Sequence, residues 1–161
     1  MTPPPARRDL TFADFDDVIG DANALLRTGS TRVGRWDLAQ TCGHLAEWLH
    51  YPVDGFPPMP APARLLMALL RNTVGPRLLR KTLSTQALPS RSPTIPQSVP
   101  AEGGDARAAV DRLAEAIERF RRHEGPYRPS PLFGAMDRAT TTRLQLIHCA
   151  HHLGHLIPNQ G

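Results

Sequence analysis

The sequence predicts an all-α protein, a four-helix bundle with a long crossover connection and an extra helical segment. Three observations carry this. Apolar residues recur at helical spacing in several long segments, alternation of the β type reaches no useful length, and proline-rich stretches separate the segments. At 161 residues the chain has the size of one domain able to bury a core without disulfide staples. The boundaries expected are a loose tail over residues 1–8 and a single domain over 9–161. The 17 prolines and 12 glycines give a good share of the chain to loops.

The first helix is expected from Thr11 with Asp14, a capping-box-like start. It carries Phe12, Phe15, Val18, Ile19, Ala22, Leu25 and Leu26 and stops at Gly29. Asp37 with Gln40 three residues on repeats that capping logic. A second helix then runs through Leu38, Cys42, Leu45, Ala46 and Leu49 toward Pro52, with His44 about two turns inside. Four prolines over 55–62 make a loop. Residues 63–83 read as a third helix, apolar and arginine-bearing, kinked near Gly75-Pro76. Residues 86–104, with four more prolines, form the crossover that carries an antiparallel bundle from one end to the other. Residues 105–123 are cleanly amphipathic, with Val110, Leu113, Ala114, Ile117 and Phe120 on one face and a solvated mixture of arginines and carboxylates opposite. Gly125-Pro126 ends that helix. After a turn-rich stretch, a last helix is expected from about Asp137 to Ile157, closed by Pro158.

Several classes are excluded. No stretch approaches the ~18 apolar residues of a membrane span, and residues 1–9 hold three prolines and two arginines where a secretory leader needs an apolar run. A soluble, cytoplasmic protein with no membrane partner is expected. The net charge of +4 comes with no basic run interleaved with aromatics, which argues against a nucleic-acid partner. Cys42 and Cys149 are the two cysteines and have no CxxC spacing, so they read as buried, reduced thiols that pack rather than ligate.

The chemistry concentrates in the last helix. His148, His151, His152 and His155 are four of seven histidines and fall within one arc of roughly 100°. Two pairs, His148/His152 and His151/His155, have the i, i+4 spacing that lets two imidazoles reach one ion, and spacing does not choose between them. A third ligand from another helix completes an open three-ligand metal site, and His44 is the best donor. The bland alternative is a set of hydrogen-bonded core histidines. Glu47, one turn beyond His44, is a candidate general base or an outer partner of the site, against a plain surface glutamate. Trp48 is a candidate wall of the cavity and Trp36 a core plug, with core packing the plain reading of both. His151 and His155 either line the pocket or cap the helix end.

The opening Arg8-Asp-Leu-Thr-Phe12, Gly34-Arg-Trp-Asp-Leu-Ala-Gln40, Gly43-His-Leu-Ala46, Ser130-Pro-Leu-Phe-Gly134 and His148-Cys-Ala-His-His-Leu153 together resemble the DUF1569 family, a branch of the DinB/YfiT-like superfamily of metalloproteins. The similarity spans nearly the whole chain in order. It implies a DinB-like four-helix bundle, often dimeric, with zinc, nickel or iron held by His44, His148 and His152. It therefore selects one of the two pairs. Some superfamily members resemble transferases that use a low-molecular-weight thiol, so a small-molecule thiol or water, activated by the metal, is the expected reactant. A non-catalytic metal or small-ligand binding protein and a purely structural bundle are the alternatives. One departure is visible: relatives often read His-Pro where this chain has Ser130-Pro131.

Overall fold

The computed structural model describes residues 6–89 and 95–159. The tail expected at residues 1–5, the crossover at 90–94 and the end at 160–161 lie outside the described residues. The described chain is mostly helical: α1 (Phe15–Thr28), α2 (Leu38–Asp54), α3 (Ala61–Thr73), α4 (Gly75–Thr85), α5 (Ala106–Arg122) and α6 (Arg138–Leu153). A short 3-10 turn spans Pro96–Ser98. Strands β1 (Ser30–Arg32) and β2 (Leu156–Pro158) pair antiparallel.

Helices α1, α2, α5 and α6 share one core because each repeats small or branched apolar residues every three to four positions. Phe15, Val18, Ala22 and Leu25 on α1 meet Cys42, Leu45 and Leu49 on α2 and Leu113, Ile117 and Phe120 on α5. Leu146, Cys149 and Leu153 on α6 complete the cluster. Each fully buried leucine or phenylalanine contributes about 1.5–3 kcal/mol by leaving water. Aspartates open these helices: Asp14, Asp37, Asp105 and Asp137 each accept from backbone N–H groups of the first turn. At α2 the capping box is complete, Gln40 accepting in return from the Asp37 N–H.

Three expectations change and one is met. The first helix starts at Phe15, because Asp14 rather than Thr11 takes the cap, and Phe12 lies outside it. The interruption expected near Gly75-Pro76 is present, as α3 and α4 meet at Val74, with Pro76 in the first turn of α4, where its missing N–H costs nothing. The last helix stops at Leu153. The chain then turns at Gly154 into β2, which pairs with β1 over three residues, a length too short to show alternation. Lastly, α2 continues past Pro52 to Asp54. Proline removes the N–H that would bond the carbonyl of Trp48, and the buried Gln145 amide of α6 donates to that carbonyl instead, at 3.2 Å.

Three bonds tie the end of the crossover to one stripe of α2. Gly103 N–H donates to Asp37 Oδ2 at 2.9 Å, Gln40 Nε2 donates to Pro100 O at 3.2 Å, and Ser98 meets His44. Positions 37, 40 and 44 share a face at helical spacing. Gly43 lets the crossover come this close, since a Cβ there would sit 2.5 Å from Cγ of Pro100.

Candidate metal centre

His44, on α2, is 1% exposed, and His148 and His152 lie one turn apart on α6. Their rings converge. His44 Nε2 stands 3.3 Å from His148 Nε2, which stands 2.9 Å from His152 Nε2, and the three ligand atoms lie within 4.8 Å of one another.

The proton on His44 can be placed by elimination. Ser98 Oγ donates its one proton to the Ile95 carbonyl at 2.6 Å, so towards His44 it can only accept. The Ser98 carbonyl, 3.3 Å from the same Nδ1, also only accepts. His44 Nδ1 therefore carries the proton, donating at 2.9 Å to Ser98 Oγ, and Nε2 presents a bare lone pair to the site.

That assignment leaves the three Nε2 atoms short of protons. His148 Nε2 has at most one N–H and faces two neighbours, so neutral rings can satisfy one of the two contacts and leave the other unbonded. A cation satisfies all three lone pairs at once. Nitrogens bound at ~2.0–2.1 Å sit about 3.3 Å apart around a tetrahedral ion and about 2.9 Å apart at neighbouring octahedral positions, which matches two of the three pairs, His44–His148 and His148–His152, the third lying within 4.8 Å. The residues present thus fit a metal ion.

Burial also keeps the rings neutral, as ligands must be. It lowers the pKa of His44 to about 4 and drives His148 and His152 well below the ordinary imidazole value, the neighbouring histidines adding to the effect. Two indoles wall the group. Trp36 stacks on His152 with centroids 5.0 Å apart and lies 4.7 Å from His44, while Trp48 meets His148 edge-on at 4.9 Å.

Other candidates fall in different places. His151 contacts His152 at 4.9 Å and His155 at 5.5 Å, and burial followed by the Arg7 charge lowers the His151 pKa to about 4. His155 lies past the end of α6, so its i, i+4 relation with His151 is not a helical one. Glu47 is exposed and lines a cleft of about 460 Å³ with His50, Arg112, Glu115 and Arg119, on the Ser98 side of His44. Ser130 is a turn residue: its hydroxyl accepts from the N–H groups of Leu132 and Phe133, and its backbone bridges to Gly134. Cys42 and Cys149 are buried, and burial pushes the Cys42 thiol up to about 12 and raises Cys149 as well, so neither is a thiolate near neutral pH. Ser98 is the functional residue that sequence reasoning missed. It stands in an aperiodic proline-rich stretch, and nothing local marks it.

Fold and site together define a mostly helical protein with a buried three-histidine group that can hold a metal ion. The family model described as Protein of unknown function (DUF1569) matches residues 5–159, and the chain belongs to that family. No curated protein and no solved structure matches it.

Proposed function

We propose that this is a DinB-like four-helix bundle with a long crossover, holding a divalent metal (zinc, nickel or iron) on His44, His148 and His152. In this reading it is a cytoplasmic, metal-dependent enzyme that activates a small thiol or water for attack on an electrophile, in the manner of a thiol-dependent transferase. The observation that carries it is the convergence of three Nε2 atoms with more lone pairs than protons.

A divalent ion on three neutral imidazoles keeps its full charge and lowers the pKa of a water or thiol at its open position. The chain's own groups supply the rest. Ser98 holds His44 in the tautomer a ligand needs, Trp36 and Trp48 shield the rings, and α6 sets the His148/His152 spacing. Glu47 opens to the cleft on the other side of His44 and has no part in the proposed chemistry.

A second reading, a non-catalytic metal or small-ligand protein, draws on one observation: among the described residues no carboxylate joins the three histidines to act as general base. Elemental analysis of tag-free protein, purified without chelator, tests the site: one equivalent of metal is expected, and its loss in His152→Ala. Metal-free native protein would sink the proposal. A thermal-shift screen of small thiols against loaded and stripped protein separates the two readings, since a thiol that binds only the loaded form stabilises only that form.

A further inference from the structure

Helix α3 buries none of its residues. Leu65, Leu66 and Leu69 are 75%, 52% and 60% exposed and fall within roughly 100° of one another around the helix. Arg64 and Arg71 project from the far side of the helix, roughly 150–170° from the middle of that arc. The helix runs on through Val74, which keeps right-handed helical backbone, into α4, whose buried Gly75 packs on the Leu132 carbonyl and whose Leu83 carbonyl accepts from Arg143. Opposite Gly75 and Thr82, α4 exposes Arg77, Arg80 and Lys81 on one arc.

Charge says what covers these leucines. Residues 55–101 hold six of the chain's 19 basic residues and none of its 15 acidic ones. The segment therefore carries +6, while the rest of the chain, with 13 basic against 15 acidic residues, nets −2. A second copy docking by the same face would set two all-basic surfaces together with no carboxylate to answer them. A nucleic acid would match the charge and leave the leucines in water.

We infer that the α3–α4 segment is a docking surface for an anionic lipid bilayer. Its leucines enter the headgroup boundary while the arginine and lysine stems reach up to anionic headgroups. At 13 residues α3 lies on a membrane, and no helix among the described residues is long and apolar enough to cross one. This replaces the expectation of no membrane partner, and it does not depend on the metal.

Flotation of the full chain with vesicles of phosphatidylcholine, alone or with phosphatidylglycerol, tests it. Binding to the anionic vesicles is expected to be at least about tenfold tighter and to weaken with salt. Leu65→Ser/Leu69→Ser is expected to abolish binding, and Arg77→Gln/Arg80→Gln/Lys81→Gln to weaken it about tenfold. All these side chains are exposed, and an unchanged circular dichroism spectrum shows the variants folded. Equal binding to both vesicle types overturns the inference, as does binding by the leucine variant. So does an oligomer that the leucine variant turns to monomer while vesicles are ignored, which assigns the face to a second copy. Leucine-dependent capture of polyglutamate without vesicle binding overturns it as well, in favour of an acidic protein.

Discussion

Ser98 holds His44 from behind, its Oγ 2.9 Å from Nδ1 and its own proton given to the Ile95 carbonyl. A loop residue thereby sets which nitrogen of a helix residue faces the site.

Ser98→Ala removes the better of the two acceptors at Nδ1 and leaves the carbonyl at 3.3 Å. Metal affinity is expected to fall roughly 10-fold to 100-fold, as for other outer partners of ligating histidines. Ser98→Thr, which keeps the hydroxyl, is expected to restore most of it. Chelator competition measures both, and equal affinity of all three proteins would exclude the positioning role.

Gly43→Ala places a methyl group against the Pro100 ring and pushes the crossover off α2. A loss of about 1–3 kcal/mol in stability is expected from the overpacking. Weaker metal binding should accompany it, because Ser98 moves with Pro100. Denaturant titration and chelator competition on one preparation check the coupling, which fails if only one of the two changes.

Acid should destabilise the metal-stripped protein. His44 titrates near 6.5 when unfolded and at about 4 when folded, because burial disfavours its charged form. Between those values the unfolded chain binds the extra proton, so stability is full above 6.5 and is lost as pH falls toward about 4. Urea midpoints should drop across that window, and His44→Gln should flatten the slope. An unchanged slope would show that His44 does not supply the linkage.

Tryptophan emission should report occupancy, since Trp36 stacks on His152 and Trp48 touches His148. Titrating stripped protein with nickel is expected to quench fluorescence to an endpoint of one equivalent, with a smaller amplitude in Trp36→Phe. Quenching without an endpoint would place the ion elsewhere.

What was legible in the sequence is what short-range chemistry writes. Asp37 with Gln40 marked the start of α2, Asp105 and Asp137 marked α5 and α6, and Gly29, at φ 70°, ended α1. The Thr11 start was three residues early because Thr11 and Asp14 are both good caps, and the choice belongs to Phe15, which packs edge-on against Phe120 of α5. The crowding of histidines on one face was also readable from spacing. Their union with His44, 104 residues away, lay beyond spacing: His44 stood in the sequence as the best third donor, and the family resemblance selected the trio. Strand β2 escaped for the same reason, its partner β1 lying near the other end of the chain.

The stripe on α2 bearing Asp37, Gln40 and His44, with Gly103, Pro100 and Ser98 seated along it, bears on how natural variation in this family should be read. Taken singly, those crossover positions resemble ordinary loop, where drift is tolerated. Seated on that stripe they are tied physically to a histidine of α2, and a change at Pro100 or Gly103 is expected to act on the site rather than as neutral surface turnover.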